Sequence, residues 1–394
     1  MTKDSARKNI NLLYIFSFLR FFYFWQAIET LYVLSIGGSA LTLSVASFFW
    51  LAATLLLEVP SGWVSDKYGV KVSLLISSCA RLLGYGLVAL PCDNPPTYIT
   101  AVVFFGVSYA FASGSDKAYL YENLEILDKV KNYKKYSGRI SNLNILGVVI
   151  GSLIATLLVN LFTYKIVFVV SAIPMALALL VVFKMNNIRR VNLDQSSKIF
   201  SDMKIALSSI FNNRVMLLFV LTMAILDLSK RTGMDFGQFF INEKFNITWL
   251  VPLVWGLGAL GRAVGYFLAE HFKNSSYWAL ALVAILMFYG ISIANGFLAL
   301  IFYVGYFIPI NIAQITLEDD TQKLAPPKLR ATTLSGISMI NSLVSIVPFL
   351  LIGNFINNNS AVQGFHAVAT VIIIVLLIIL IISKLYFSMT KLKL

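Results

Sequence analysis

Four charged residues lie at helical spacing in the segment LDLSKRTGMDFGQFF, residues 226–240: they are Asp227, Lys230, Arg231 and Asp235. Intervals of three and four positions place them along one face of a helix. Two interpretations stay open. The four residues either form a structural ladder of ion pairs, or they face a cavity where a carboxylate binds and releases a proton as water access changes. Asp227 is the first candidate for that carboxylate, because Lys230 and Arg231 lie within one turn of it. Gly233 and Gly237 are expected to let this helix bend.

A second set of charges lies in the apolar run over residues 10–34. Arg20 is about 11 residues into that run, near the expected bilayer midplane, and Glu29 follows nine positions later. At 100° per residue the two face opposite sides of a continuous helix, so they cannot pair within it. We expect Arg20 to contact the substrate or a gate, and Glu29 is the second candidate for proton coupling. For Arg81 and Arg262 we favour local pairing or snorkelling.

The elements that must position these residues are membrane helices. The chain of 394 residues is 58% hydrophobic and only 12% charged, with a mean hydropathy of +0.81. A hydrocarbon core of roughly 30 Å needs about 20 apolar residues per helix. About twelve such runs occur, over residues 10–34, 40–61, 72–92, 97–118, 138–161, 165–184, 214–240, 247–270, 276–294, 297–318, 331–356 and 364–387. The first run contains Arg20 and Glu29 and has no small-residue cleavage site, so we expect a retained helix and not a signal peptide.

Basic residues indicate the orientation of these helices, because cytoplasmic loops collect Lys and Arg. With the amino terminus inside, the predicted outer loops contain only Lys165 and Lys244. We therefore expect both termini in the cytoplasm and the protein in the plasma membrane. The net charge of +13 is scattered over many loops, which argues against nucleic acid as a partner.

The polar stretch over residues 185–213 divides the helices into two sets of six. We predict an amino-terminal bundle over residues 1–184, a cytoplasmic linker over 185–213 and a carboxy-terminal bundle over 214–394. Within the linker, an interfacial helix is predicted from four apolar residues at helical spacing, which are Phe200, Met203, Leu207 and Ile210. Two six-helix halves joined by an inner linker suggest a transporter whose site lies near the bilayer midplane.

The segment EVPSGWVSDKYGVKVSL, residues 58–74, lies between the second and third runs. It resembles the loop signature of the major facilitator superfamily in its GxxxDKxGxK form, and the matching residues are Gly62, Asp66, Lys67, Gly69 and Lys71. Val70 departs from the family pattern, which usually has a second basic residue there. The resemblance implies a latch at the inner surface that favours one access state. The glycines would permit a tight turn and close helix approach, and Asp66 would face the amino-terminal end of a neighbouring helix. The alternative is an ordinary basic turn.

Two further segments extend the resemblance. SGSDKAYLYENL, residues 113–124, with LLLEVPSG, residues 55–62, looks like a bacterial branch of the superfamily associated with drug or metabolite efflux. GRISNLNILGVVIG, residues 138–151, keeps the glycine spacing of the antiporter motif at Gly138, Gly147 and Gly151. Simple helix packing is the alternative explanation of those glycines. An inner gate network with Asp66 is predicted for a cluster at the inner ends of helices four and two, comprising Asp116, Lys117, Glu122 and Glu58.

Together these features predict an all-α membrane protein with twelve helices in two six-helix bundles, the major facilitator fold. The expected function is proton-coupled export of a small amphipathic drug or metabolite by alternating access. The alternatives are export of an anionic metabolite such as a siderophore, and import or facilitated passage of a small solute. Aromatic residues crowd helix one, including Phe16, Tyr23 and Trp25, and would suit a pocket for an aromatic compound.

Other classes of function are less favoured. The two histidines, His271 and His366, lie at predicted helix ends in different halves, and no GxxxxGK[ST] loop for ATP occurs in the sequence. We therefore expect no enzyme activity and no cofactor or metal, with a proton gradient as the energy source. A membrane enzyme or a receptor that does not transport is the less favoured reading. The expected partners are a small-molecule substrate and membrane lipid, and the expected assembly is a monomer.

Overall fold

The computed structural model describes residues 2–187, 204–205, 207–272, 277–324 and 330–390, which are helical with no β-strand among them. The chain divides into two compact units, Met1–Ser196 with Thr248–Gly256, and Ser197–Ile247 with Leu257–Leu394. The predicted domain boundaries at residues 184 and 214 stay a prediction, because most of the linker lies outside the described residues.

The helices that precede the linker are, in order, α1 (Lys3–Phe21), α2 (Glu29–Ser35), α3 (Ala40–Tyr68), α4 (Val70–Ala89), α5 (Pro95–Ala112), α6 (Ser115–Ile126), α7 (Tyr133–Leu158), α8 (Tyr164–Val170) and α9 (Ala172–Lys184). Those that follow it are α10 (Arg214–Arg231), α11 (Gly237–Phe245), α12 (Leu250–Leu268), α13 (Tyr277–Ile293), α14 (Phe297–Leu324), α15 (Arg330–Asn358) and α16 (Ala361–Thr390). Four predicted membrane helices are therefore interrupted in a way that periodicity did not indicate. Predicted helix one consists of α1 with α2, helix four of α5 with α6, helix six of α8 with α9, and helix seven of α10 with α11.

The prediction of an all-α membrane protein is confirmed. Nine helices among the described residues are long and apolar enough to cross a membrane, and α13 is apolar but shorter. The remaining two predicted spans, the first and the seventh, contain the charged residues discussed above and are interrupted by non-α turns. Together these segments correspond to the twelve predicted helices.

An aromatic cluster forms the centre of the first unit. Trp25 lies 4.8 Å from Phe105 and 5.3 Å from Phe168 between ring centroids, and Tyr85 lies 5.1 Å from Phe105. Phe16 is fully buried. The expectation that the helix-one aromatics line a substrate pocket is therefore wrong for Phe16 and Trp25, which belong to the packed interior of this unit.

The second unit has its own apolar core. Met216, Phe219 and Met223 of α10 pack with Tyr277 of α13 and Leu317 of α14. Ile210 also lies in this core and is fully buried. Phe200 and Met203 of the predicted interfacial helix lie outside the described residues, whereas residues 207–212 are helical. At Ile210 that segment packs inward on protein.

Candidate functional site

The ladder predicted on helix seven forms at the carboxy-terminal end of α10. The Nε of Arg231 lies 2.8 Å from Oδ2 of Asp227, and the Nζ of Lys230 lies 3.3 Å from Oδ1. Lys230 also donates a 2.6 Å hydrogen bond to Oε1 of Gln314 on α14. Asp227 therefore binds both cations that follow it, and Gln314 of α14 binds one of them as well.

A π-helical turn, Thr232–Phe236, separates the ladder from α11. This turn contains Asp235, so its side chain does not continue the regular spacing of the ladder. Asp235 lies within electrostatic reach of Arg231 and of Arg262 on α12. Single π-turns inside α-helices often mark functional sites, because they change which side chains face one direction. The expectation of one uninterrupted charged face over 227–235 is therefore wrong at Asp235.

The two glycines near this turn make room for tyrosines of α14. A Cβ on Gly237 would lie 2.7 Å from the hydroxyl of Tyr303, and a Cβ on Gly233 would lie 3.2 Å from the Tyr306 ring. Tyr303 donates a 2.9 Å hydrogen bond to the carbonyl oxygen of Gly233, and Tyr306 shares a 2.7 Å hydrogen bond with Ser229. The glycines were expected to permit a bend. They also allow α14 to fix the π-turn from one side.

Arg262 joins this group of charges, although its place in predicted helix eight favoured local pairing or snorkelling. Its Nη1 lies 3.1 Å from Sδ of Met234 in the π-turn. A Cβ on Gly261 would lie 2.8 Å from the carbonyl oxygen of Val304, and one on Gly265 would lie 2.7 Å from that of Ile308. Glycines on either side of Arg262 thus bring α12 close to the backbone of α14. We call Asp227, Lys230, Arg231, Asp235 and Arg262 the helix-seven cluster.

This arrangement is suited to proton-linked rearrangement. An ion pair in a poorly solvated site is held strongly, and removal of one charge leaves the other uncompensated. Protonation of Asp227 would therefore weaken its hold on Lys230 and Arg231. Asp235 interacts electrostatically with Arg231 and is therefore a second carboxylate for the same guanidinium.

In the first unit, helix one is interrupted rather than continuous. The α1 helix ends at Phe21, a 3₁₀ turn covers Trp25–Ile28, and α2 begins at Glu29. The amide nitrogens of Phe24 and Trp25 each donate a 3.0 Å hydrogen bond to the hydroxyl of Ser171. Ser171 stands at the junction of α8 and α9 and is 1% exposed. Unwound backbone inside a membrane protein needs such internal partners.

Two of the three predicted helix-five glycines pack against this interruption. A Cβ on Gly147 would lie 2.8 Å from the carbonyl oxygen of Phe18, and one on Gly151 would lie 2.4 Å from that of Tyr23. Gly138 is exposed, and nothing lies within 4 Å of the position of a Cβ there. The packing explanation is favoured for Gly147 and Gly151, and Gly138 has no packing role.

Arg20 has an acidic neighbour on another helix. Its Nη1 lies 3.8 Å from Oδ2 of Asp116, and the Arg20 side chain is 5% exposed. Asp116 lies two residues beyond Gly114, whose positive φ of 81° ends the interruption between α5 and α6. Asp116 was predicted to join Asp66 at the inner gate; in the structure it contacts helix one. Arg81 donates a 3.3 Å hydrogen bond to the hydroxyl of Ser108.

Glu29 lies in a separate buried environment. The hydroxyl of Tyr98 on α5 donates a 2.5 Å hydrogen bond to Oε1 of Glu29. Glu29 is 9% exposed and Tyr98 is fully buried. The angular argument that kept Arg20 and Glu29 apart assumed a continuous helix and does not apply across the interruption. The two residues nevertheless have different partners, since Arg20 lies near Asp116 and Glu29 accepts from Tyr98.

The loop between predicted helices two and three is shorter than expected. The α3 helix continues through Pro60 to Tyr68, so Gly69 alone separates it from α4, with a φ of 94°. A Cβ on Gly69 would lie 2.2 Å from the side-chain oxygen of Asn187, and Nδ2 of Asn187 donates a 2.8 Å hydrogen bond to the carbonyl oxygen of Tyr68. Glycine is therefore needed at position 69 both for the turn and for this contact.

The other residues of the signature contribute differently. Gly62 lies inside α3, with open space around the position of a Cβ, so the expected close approach does not occur there. The Nζ of Lys67 lies 4.5 Å from the centroid of the Trp63 ring, and Lys71 donates a 2.7 Å hydrogen bond to the carbonyl oxygen of Phe183. Both lysines thus contact residues other than Asp66, whose side chain is exposed.

The predicted gate residues of helices two and four are not gathered into one cluster by the contacts described. Glu58 is exposed on α3, and Lys117 is exposed on α6. Glu122 is 6% exposed on α6. Sequence reasoning missed Ser171, Tyr98 and Asn187. Each of the three is a common polar residue whose role depends on a partner far away in the chain, and no local motif marks it.

Comparisons with known proteins agree with this architecture. A family model described as Major Facilitator Superfamily matches residues 10–348. A variant of the nucleoside transporter NupG has a TM-score of 0.78 at 14% identity, over 94% of this chain and 97% of that one. A POT family transporter in complex with a thioalcohol-conjugated peptide has a TM-score of 0.76 at 14% identity, over 98% and 96% of the two chains. A D-xylose-proton symporter has a TM-score of 0.70 at 13% identity, over 96% of each chain.

At these identities the solved structures show the fold alone, and comparison with curated proteins gives no match. The family model, in contrast, spans most of the chain. Its match includes α3 to α14, the loop signature at Gly69 and the helix-seven cluster. The chain therefore belongs to the major facilitator superfamily and is a multi-pass secondary transporter.

Proposed function

We propose that this transporter is a proton-coupled exporter of a small amphipathic drug or metabolite, and that Asp227 is its coupling carboxylate. The observation that carries the proposal is the pair of contacts from Asp227 to Arg231, at 2.8 Å, and to Lys230, at 3.3 Å. Asp227 is 18% exposed and lies on α10, which is part of the predicted seventh membrane helix. A charge at membrane depth costs roughly 2.5–3.5 kcal/mol and seldom persists without a partner or a function.

The coupling step follows from competition for Arg231. When Asp227 is ionised it holds Arg231 and Lys230. When Asp227 takes up a proton, Arg231 turns toward Asp235, and the π-turn between them changes shape. The change of shape is confined to one hinge-like turn, Thr232–Phe236. A membrane potential contributes about 2.3 kcal/mol per charge per 100 mV, so inward movement of one proton can drive export.

A second candidate carboxylate is Glu29, whose 2.5 Å hydrogen bond from Tyr98 places it in a buried, largely aromatic setting. The chain's fold relatives include a D-xylose-proton symporter, which is consistent with proton-driven transport on this fold. Import of a small solute is therefore the alternative. Export and import differ in whether the solute moves against the protons or with them.

The test of function uses wild-type protein in proteoliposomes that contain a pH-sensitive dye. The probes are ethidium, an amphipathic cation, and fluorescein, an amphipathic anion. We expect an imposed pH gradient to drive one of the probes against its own concentration gradient. Protons should move across the membrane in the opposite direction. Transport that follows only the probe's own gradient, and ignores the pH gradient, would contradict proton coupling.

The test of orientation uses single cysteines in a background that lacks the exposed residues Cys79 and Cys92. Asn160 is exposed at the outer end of the predicted fifth run, Asn358 is exposed in a predicted outer loop, and Asn132 is exposed in a predicted inner loop. An impermeant maleimide added to cells should label cysteine at 160 and 358 but not at 132. The reverse pattern would overturn the placement of both termini in the cytoplasm.

A further inference from the structure

A cavity of about 460 Å³ lies at the end of the first unit where α2 finishes and α8 begins. Its aromatic wall consists of Tyr32, Phe162 and Tyr164, and its charged groups are Asp93 and Lys165. Pockets that bind small ligands are usually about 300–1,000 Å³, largely apolar, with few polar groups. None of these residues belongs to the charged pairs assigned above to transport.

The two charged groups of the cavity lie side by side and retain bonding capacity. The Nζ of Lys165 lies 2.8 Å from Oδ1 of Asp93 and donates a 2.7 Å hydrogen bond to the carbonyl oxygen of Leu90. An ammonium has three donors and a carboxylate about four acceptor positions. The side chains are 27% and 51% exposed, so both can be reached from outside. A third hydrogen of Lys165 and several acceptor positions of Asp93 can therefore serve a ligand.

The surface beside the cavity is strongly apolar. Leu157, Leu161 and Ile166 are 67%, 72% and 45% exposed. Each lies within two positions of a residue that lines the cavity. On a protein that spans a membrane, such side chains contact lipid acyl chains. The charged cavity therefore opens next to a surface for hydrocarbon.

We propose that this cavity binds the headgroup of a zwitterionic aminophospholipid, with an acyl chain along Leu157, Leu161 and Ile166. The ammonium of the headgroup donates to Asp93 near the aromatic wall, and its phosphate accepts from Lys165. A ligand with a single charge meets one favourable and one unfavourable group in a pair only 2.8 Å apart, whereas a zwitterion matches both. A primary ammonium can donate hydrogen bonds to the carboxylate, and a trimethylammonium cannot.

The same headgroup chemistry occurs in a soluble molecule, glycerophosphoethanolamine, which has no acyl chains. The apolar surface beside the cavity favours the lipid as the source. The two sources differ in the measurement below, because only the lipid uses Leu157, Leu161 and Ile166.

The binding test uses native mass spectrometry of the purified full-length protein with phosphatidylethanolamine, phosphatidylcholine and phosphatidylglycerol. We expect phosphatidylethanolamine to bind about tenfold more tightly than the other two, as for one additional charge-assisted hydrogen bond. Asp93→Asn should abolish that preference, because it removes the acceptor of the ammonium, and Lys165→Gln should weaken the binding of all three lipids, because each has a phosphate. Lys323→Gln is the matched control, because Lys323 is an exposed cation paired with Asp319 outside this cavity. Equal affinity of the wild-type protein for the three lipids, an unchanged preference in Asp93→Asn, or unchanged affinities in Lys165→Gln would overturn the proposal, as would competition by glycerophosphoethanolamine at the affinity of the whole lipid.

A second measurement needs no variant. Wild-type protein is illuminated with phosphatidylethanolamine that has a photoreactive group at the start of one acyl chain, and the cross-linked peptides are mapped. Cross-links should concentrate on residues 157–166. The exposed apolar surface of α9 at Leu177, Leu180 and Phe183 is the internal comparison. Labelling spread equally over both surfaces would contradict a specific site.

Discussion

The hydroxyl of Tyr98 donates a 2.5 Å hydrogen bond to the carboxylate of Glu29, and both side chains are buried within the first unit. Replacement of the hydroxyl removes a donor to a buried acidic group, which costs about 1.5–3 kcal/mol. We expect Tyr98→Phe to lower the free energy of unfolding in detergent by that amount. Glu29→Gln should cost less, because the amide oxygen can still accept the bond. A larger loss in Glu29→Gln than in Tyr98→Phe would contradict this account of the pair.

The interruption of helix one depends on Ser171. Its hydroxyl accepts from the amides of Phe24 and Trp25, so Ser171→Ala leaves two buried donors with one acceptor fewer. We expect a loss of roughly 1–3 kcal/mol in the free energy of unfolding and a drop in transport. Ser141→Ala is the matched control, because Ser141 is exposed on α7 and should tolerate the change. Equal stability of the two variants would show that the interruption does not need Ser171.

Gly151 and Gly138 provide a paired test of the helix-five glycines. A Cβ at Gly151 would lie 2.4 Å from a backbone oxygen of Tyr23, whereas nothing lies within 4 Å of one at Gly138. Gly151→Ala should therefore lower expression and transport, and Gly138→Ala should be neutral or slightly stabilising, since alanine favours a helix by about 1 kcal/mol. A transport defect in a well-folded Gly138→Ala variant would instead support a direction-determining role for the motif.

The interrupted membrane helices show which features the sequence could predict and which it could not. The lengths of the apolar runs and the spacing of Asp227, Lys230 and Arg231 predicted the membrane helices and the ladder, because both follow from local periodicity. The end of α1 at Phe21 was not predicted, because no Pro or Gly marks residues 21–25. Its stabilising partner Ser171 is 147 positions from Phe24. Long-range contacts of this kind leave no periodic signal.

The same limit applies to the site. The sequence identified Arg262 as a charged residue in a predicted membrane helix. Its contact with Met234 depends on the close packing of α12 on α14, which the pattern of a single helix does not reveal. Gly69 was predicted as a turn residue from its place in the loop signature and from its residue type. Its contact with Asn187 required the structure, since Asn187 lies beyond the end of the sixth helix.

The loop signature should control turnover more than substrate binding. In Gly69→Val the side chain meets a backbone with a φ of 94° and the side chain of Asn187, so we expect transport to fall while probe binding persists. Asp66→Asn should act in the same direction. Gly62→Ala is the control, because a Cβ there is unobstructed. Loss of probe affinity in Gly69→Val with normal turnover would place this turn in the binding site instead.

The contact between Arg20 and Asp116 can be measured by a double-mutant cycle. Removal of one partner from a buried ion pair costs about 3–5 kcal/mol, and at 3.8 Å we expect the lower end of that range. Arg20→Gln and Asp116→Asn should each destabilise the protein, and the double variant should lose less than the sum of the two. Additive losses would show that the two side chains are not coupled.

The central claim is that Asp227 couples proton movement to transport. The most direct measurement is uphill transport of the probe in proteoliposomes by Asp227→Asn, with and without an imposed pH gradient. If Asp227→Asn alone folds poorly, the double variant Asp227→Asn with Arg231→Gln is measured in its place, because it keeps the net charge of the ladder unchanged. We predict that the variant loses the response to the pH gradient but still exchanges probe down the probe's own gradient. A well-folded Asp227→Asn protein whose uphill transport responds normally to the pH gradient would contradict the account.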